Sequence, residues 1–204
     1  MNTFWQDKRQ KYETADWASR PSLFAEFVLP YVASGGSMLE LGAGLGQDSV
    51  YFATHGYDVT STDLVLDTSL AMPETVKREQ IDISQPFPYG NAQFDVAYAH
   101  LALHYFDNAT TQQVFREIYR VLKPGGMLAF LANSTSDPEC STGVRLEDNY
   151  YETAGTKKRY FDVPMARSFA REFEEILCDD QGETYKDQAK GVHNLLRYIG
   201  RKLV

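Results

Sequence analysis

Cysteine is scarce in this chain: the two present, Cys140 and Cys178, stand in unrelated segments and make no metal-ligand spacing, so no metal site is expected. Free thiols of this kind fit a cytoplasmic protein. Excess positive charge is missing too. Twenty Lys and Arg against 28 Asp and Glu give a formal net charge of −8 and a pI near 5.0. A polyanion gains no general attraction to such a surface, which argues against nucleic acid as a partner. Lys157, Lys158 and Arg159 form a compact basic cluster. No apolar run approaches the roughly 20 residues that span a bilayer. The N-terminus, Met1-Asn2-Thr3-Phe4-Trp5-Gln6-Asp7, lacks the basic region and apolar core of a signal peptide. No membrane partner is expected. Repeats and low-complexity tracts are absent as well.

What is present is a chain of 204 residues, long enough for one well-buried α/β core and short for two. Strand-like and helix-like segments alternate up to residue 132, the pattern of a parallel sheet with crossover helices. Leu23, Phe24, Phe27, Val28 and Tyr31 recur at helical spacing and stop at Ser34-Gly35-Gly36, so a helix within residues 1–36 should dock on the core. Met38 to Leu41 reads as the first strand, Tyr57 to Thr62 as the second and Phe94 to Ala99 as the fourth. The weak segment Asp67 to Arg78, with Pro73 inside it, should be a short helix or loop before a third strand around Gln80 to Ile83. Val114, Phe115, Ile118, Tyr119 and Leu122 mark a helix ended by Pro124-Gly125-Gly126, and Met127 to Ala132 is a fifth strand. Asn133 to Thr156 is polar and loosely patterned, as a long loop or small excursion would be. A helix with Met165, Ala166, Phe169, Ala170 and Phe173 on one side should follow. Glu174 to Tyr185 and His193 to Arg201 then pair as the last strands around Lys186 to Gly191.

The densest signal is Met38-Leu39-Glu40-Leu41-Gly42-Ala43-Gly44-Leu45-Gly46-Gln47-Asp48-Ser49, an apolar strand running into three alternating glycines and a helix. Glycine admits positive φ and lets a ligand approach the backbone where a side chain would collide. The dinucleotide fingerprint G-x-G-x-x-G needs glycine at position 47, where this chain has Gln47. Asp63 ends the second strand about twenty residues beyond the loop, where an α/β fold sets a carboxylate against a ribose. Capping of the following helix is the competing reading. Asp82, followed by Ile83, is a second acidic position. Beside an adenine a carboxylate accepts the exocyclic amine while an apolar neighbour packs the ring; otherwise Asp82 is simply solvated.

Taken in order, Glu40-Leu41-Gly42-Ala43-Gly44-Leu45-Gly46, Asp63 after Val59-Thr60-Ser61-Thr62, Asp82-Ile83 before Pro86-Phe87-Pro88, and Phe94-Asp95-Val96-Ala97-Tyr98 before Leu103-His104-Tyr105-Phe106 resemble the class I S-adenosylmethionine-dependent methyltransferases. Leu122-Lys123-Pro124-Gly125-Gly126 is similar to that family's turn into its fifth strand. The resemblance is strong over residues 1–132 and looser beyond, and is closest to the small-molecule methyltransferases of the tellurite-resistance and thiopurine types. It implies a Rossmann-like three-layer αβα sandwich with a seven-stranded, mostly parallel sheet whose last strand is antiparallel. One domain would span 1–204, with the excursion 133–161 covering the substrate. The resemblance further implies S-adenosylmethionine as cofactor, with Glu40, Gly42, Ala43 and Gly44 at its methionyl part, Asp63 and Leu64 at the ribose, Asp82 and Ile83 at the adenine, and Ala99 and His100 near the sulfonium.

Methyl transfer chiefly asks the protein to orient the reactants and exclude water, and a base is needed only for an acceptor that must lose a proton. His104 and His100 are the imidazoles available for that, although histidines near a strand end also serve in packing. Tyr12, Trp17, Arg20, Tyr105, Tyr150, Arg159 and Tyr160 are candidates to wall a small-molecule acceptor pocket, or else ordinary core aromatics and their neighbours. Two rival readings stay open: a module that binds the cofactor without transfer, and a nicotinamide-dependent oxidoreductase, which Gln47 disfavours.

Overall fold

The computed structural model describes residues 17–66, 72–185 and 194–203. Among these residues ten strands and four α-helices follow one another. The strands are β1 (Gly36–Leu41), β2 (Tyr57–Asp63), β3 (Val76–Gln80), β4 (Phe94–His100), β5 (Leu122–Ala132), β6 (Val144–Glu147), β7 (Tyr150–Thr153), β8 (Thr156–Arg159), β9 (Phe173–Gly182) and β10 (Leu195–Lys202). The helices are α1 (Leu23–Val28), α2 (Gln47–Thr54), α3 (Asn108–Val121) and α4 (Val163–Phe169).

Seven strands form one sheet in the order β3-β2-β1-β4-β5-β10-β9. β1 runs parallel to β2 and β4, β2 to β3, and β4 to β5, whereas β10 is antiparallel to both its neighbours. Strand order reverses between β1 and β4, and in open α/β sheets ligands lie at the carboxyl ends of the strands beside such a switch. Both faces are covered, which is why the central strands are apolar on both sets of alternate residues. Leu39, Leu41, Ala97, Ala99, Leu128 and Phe130 meet Val114, Phe115 and Ile118 of α3 and Ala166 of α4. The intervening residues Met38, Val96, Tyr98, Met127 and Ala129 meet Phe24, Ala25 and Val28 of α1 and Phe52 of α2. The three-layer architecture thus follows from the pleat.

Four boundaries differ from those expected. The third strand is Val76–Gln80 rather than Gln80–Ile83: Val59 pairs with Val76 and Asp63 with Gln80, leaving Asp82 and Ile83 beyond the strand. α3 stops at Val121 and β5 begins at Leu122, so Pro124-Gly125-Gly126 sits inside a strand made irregular between the Phe94 and Val96 pairings. Phe173 opens β9 instead of closing a helix, because α4 ends at Phe169. Within Asn133 to Thr156 the chain is more ordered than a long loop, for β6, β7 and β8 form their own antiparallel sheet. Its second hairpin turns at Ala154-Gly155, with φ of 49° and 75°, the left-handed pair that a two-residue turn of type I′ needs. Tyr12, His193 and the turn Lys186 to Gly191 lie outside the described residues.

Candidate functional site

The loop between β1 and α2 is held from below by β2. The amides of Gly42 and Ala43 both donate to the Thr62 carbonyl, at 2.9 and 2.8 Å, and the Gly46 amide donates to the Ala43 carbonyl at 2.9 Å. Gly42, Gly44 and Gly46 all take left-handed φ, of 73°, 59° and 85°. Their surroundings differ. A Cβ on Gly42 would stand 2.5 Å from the Ala102 Cβ, and one on Gly46 would strike the Met72 side chain, whereas on Gly44 none of the described residues lies within 4 Å. Gly42 is therefore crowded by Ala102, whose Cβ the backbone fixes, Gly46 is crowded only by the flexible end of Met72 and is required by its φ, and none of the described residues crowds Gly44.

Asp63 closes this loop. Its carboxylate accepts from the Gly44 amide at 2.8 Å and the Val65 amide at 3.0 Å, so it ties the tip of the glycine loop to the start of the next segment. Leu64 follows, its carbonyl accepting from the Gln80 amide nitrogen at 2.9 Å. Ala43, Gly44, Asp63, Val65, Met72 and Arg78 are among the residues that line a concavity here, with only about 10 Å³ enclosed. That is about one water's worth of space, so a larger ligand has to use the open side of the loop.

Glu40 lies beneath the loop, 2 % exposed, and Ser49 of α2 donates to its carboxylate while also lying 2.7 Å from the Ser61 hydroxyl. Burial, then the charge of Asp48, pushes the Glu40 carboxyl well above its ordinary value. Its side chain therefore supports the loop from inside instead of lining an open surface.

At the end of β4, His100 pairs in register with Leu131 and is half-buried, whereas Ala99 is fully buried against the α3 side. Leu101 then takes φ of 55°, an uncommon conformation for a leucine, with its amide donating to the Leu131 carbonyl at 2.9 Å. This reversal delivers Ala102 against Gly42. His104 is buried, its ring centroid 4.2 Å from that of Tyr105. Asp82 is exposed and accepts from the Ser84 amide and hydroxyl, at 2.9 and 2.6 Å, while Ile83 packs partly buried on the core.

The candidate acceptor residues divide into two groups. Trp17 and Arg20 form a turn, with the Arg20 guanidinium 4.6 Å above the Tyr185 ring. Tyr105, Tyr150 and Arg159 meet in one structural knot: the Tyr150 hydroxyl donates to the Tyr105 carbonyl at 3.3 Å, and Arg159, 1 % exposed, donates to the carbonyls of Phe106 and Asp148 and to Glu147 at 3.2, 3.1 and 2.7 Å. Arg159 is thereby committed to fastening the small sheet onto the segment after β4. Tyr160 is buried beside it, and burial raises its phenol well above the ordinary value.

Residues not singled out from the sequence also gather here. Asp48, Ser22 and Tyr98 form a buried hydrogen-bonded group between α1, α2 and β4. Asn133 and Asp137, both buried, join at 2.9 Å where β5 ends. Ser22 has a readable signal, since a serine directly before Leu23-Phe24 suits an N-cap; the others are brought together only by folding.

The family described as "Methyltransferase domain" matches residues 39–130, from β1 into β5. An uncharacterized methyltransferase of a Synechocystis species is 31 % identical over 109 residues, 49 % of this chain and 48 % of its own length. The malonyl-[acyl-carrier protein] O-methyltransferase of Enterobacter lignolyticus is 36 % identical over 100 residues, 46 % of this chain and 37 % of its own. The chain thus spans less than half the length of these curated relatives. In shape it resembles the 1,6-didemethyltoxoflavin-N1-methyltransferase of Burkholderia thailandensis, solved with 1,6-didemethyltoxoflavin and S-adenosylhomocysteine: the TM-score is 0.76 at 22 % identity, covering 99 % of this chain and 85 % of that one.

Proposed function

We infer that this chain, which carries the methyltransferase domain of the class I S-adenosylmethionine-dependent family, transfers a methyl group from S-adenosylmethionine to a small-molecule acceptor. The observation that carries this reading is the pairing of Gly44 with Asp63: a left-handed glycine that none of the described side chains crowds, its amide bonded to a carboxylate at the end of β2. Gly44 and Asp63, residues of the right kind for the cofactor, are thus bonded to one another beside the switch in strand order. Gly42, Ala43 and Gly44 border its methionyl part with Glu40 bracing them, Asp63 and Leu64 take the ribose, and Asp82 and Ile83 the adenine side.

When bound, the cofactor supplies an activated methyl group and a good leaving group, which leaves orientation and water exclusion to the protein. His100, at the end of β4, is the imidazole we assign to accept a proton from an acceptor that must lose one, and His104 is the more buried of the two. The small sheet β6-β7-β8, pinned by Arg159, belongs to the excursion 133–161 that we assign as the acceptor's cover. The neighbour from Burkholderia, described with an acceptor that is itself a small molecule, supports that class of substrate here. A cytoplasmic setting is part of the same reading. Among the described residues no helix is long and apolar enough to cross a membrane.

Calorimetry with S-adenosylhomocysteine tests the cofactor assignment: the intact chain should bind it and Asp63→Ala should lose most of that binding. A labelled-methyl assay over thiol, amine and carboxylate acceptors tests transfer. No binding by the intact chain would sink the proposal, and binding without transfer to any acceptor class would leave the cofactor-binding module in its place.

A further inference from the structure

Asp48 is a buried carboxylate that methyl transfer does not itself require. It is 4 % exposed, and a charge taken so far from water is costly unless donors surround it. Three do. The Ser22 amide donates to Oδ1 at 2.6 Å, the Ser22 hydroxyl to Oδ2 at 2.7 Å and the Tyr98 hydroxyl to Oδ2 at 2.8 Å.

The two ends of this group lie on different parts of the site. Asp48 is the second residue of α2, whose N-cap is Gly46, the last glycine of the loop, and the Val50 amide donates to the Gly46 carbonyl at 3.0 Å. Asp48 thus stands in the helical turn that the loop itself caps. Ser22 is the N-cap of α1, its hydroxyl accepting from the Ala25 amide at 3.0 Å. The residues before it turn at Trp17–Arg20 and reach the Tyr185 ring, three residues beyond the end of β9. Because β5 and β9 are each antiparallel to β10, they are parallel to one another, and their carboxyl ends share an edge with β1 and β4. Residues 17–22 thus form a strap along that edge, from Asp48 at the cofactor loop to Tyr185 at the other end.

Apolar packing already holds α1 and α2 together, since Phe24 and Phe52 lie on the Tyr98 ring at centroid distances of 5.5 and 5.0 Å. What the carboxylate adds is direction, as its three bonds hold only when loop and strap are in register. We propose that Asp48 is a positioning residue that couples occupancy of the glycine loop to the placement of the strap 17–22 over the carboxyl edge of the sheet. This rests on the glycine loop's being the cofactor site. Its consequence is that cofactor binding sets the acceptor side before the acceptor arrives.

The chain offers its own reporter, because its two tryptophans, Trp5 and Trp17, both precede Ser22. S-adenosylhomocysteine added to the intact chain should shift tryptophan emission. In Asp48→Asn, calorimetry should still show binding, weakened by no more than about tenfold, while the emission shift is lost. Ser22→Ala keeps the backbone donor to Asp48 and should reduce the shift. It serves as the variant to read if circular dichroism shows Asp48→Asn to be unfolded. A residue that merely stabilised the fold would lower the melting temperature and leave the shift intact at saturating ligand. That outcome, or an intact chain that binds without any shift, overturns the coupling. An intact chain that does not bind at all overturns the transfer reading and the coupling with it.

Discussion

Gly44→Ala and Gly42→Ala introduce the same methyl group two residues apart, yet the structure assigns them different costs. Both positions hold left-handed φ, 59° at Gly44 and 73° at Gly42, which disfavours an L-residue by about 1–2 kcal/mol. At Gly44 the described residues add nothing to that cost, since the new Cβ meets none of them within 4 Å. At Gly42 the Cβ would lie 2.5 Å from the Ala102 Cβ, whose position is set by the Leu101 reversal and the buried Leu103 behind it. Relieving such an overlap in a packed region adds about 1–3 kcal/mol. For a domain of this size each kcal/mol lowers the melting temperature by roughly 2–4 °C. Scanning calorimetry without ligand should thus place Gly44→Ala roughly 2–8 °C below the parent, and Gly42→Ala roughly 4–20 °C below it, the lower of the two variants. Binding should divide the other way. In the folded Gly44→Ala protein the methyl group occupies the open side of the loop, and titration with S-adenosylhomocysteine should show a loss of at least about tenfold, or 1.4 kcal/mol. Full affinity in Gly44→Ala would refute the claim that a ligand approaches this backbone, and equal melting of the two variants would refute the packing role given to Gly42.

Arg159→Met keeps the buried stem and removes the guanidinium from Glu147 and from the Phe106 and Asp148 carbonyls; because Glu147 is itself 37 % exposed, the expected loss is about 2–3 kcal/mol rather than the full cost of breaking a buried pair, and thermal melts should show it. A change below about 1 kcal/mol would mean that water replaces the guanidinium at little cost. Glu40 works in the opposite sense to a paired carboxylate: its folded value is raised, so the folded state holds the proton longer and loses stability as pH climbs from the ordinary 4.5 through the raised value. Melting temperatures of Glu40→Gln relative to the parent should therefore improve as pH rises through that window, and a pH-independent difference would contradict it. Asp179 is lowered, burial being outweighed by the two Arg197 bonds at 2.8 and 2.7 Å and by the Gln181 amide. Its contribution is present above the ordinary aspartate value of 3.8 and vanishes as pH falls through the folded one, so Asp179→Asn should flatten the acid limb of the melting profile.

The parts of this molecule that sequence reveals are those whose reason is local. The glycine loop and Asp63 announce themselves because left-handed backbone and a carboxylate at a strand end are chemical requirements of single positions. The central strands are equally plain, since β1, β4 and β5 are buried on both faces and read as apolar runs. β3 misleads for the converse reason. It is an edge strand with only Val76 buried, so the apolar pair Ile81 and Ile83 just beyond it looks more strand-like than Lys77 to Gln80 does. In the excursion, β6 and β8 carry mostly polar or half-exposed residues, and what fastens the small sheet to the segment after β4, Arg159 on the Phe106 carbonyl, joins residues 53 positions apart.

Position by position, then, the sequence determined the alternating α/β architecture, the left-handed glycine loop and the acidic residue beside it, because periodicity and glycine stereochemistry act within a few residues. Only the tertiary structure decided that Ala102 crowds Gly42, that Glu40 braces the loop from below and that Asp48 reaches Ser22 across 26 residues. Those are facts of burial and hydrogen-bond partnership, and a chain acquires them only when its crossovers bring distant segments to the same edge of the sheet.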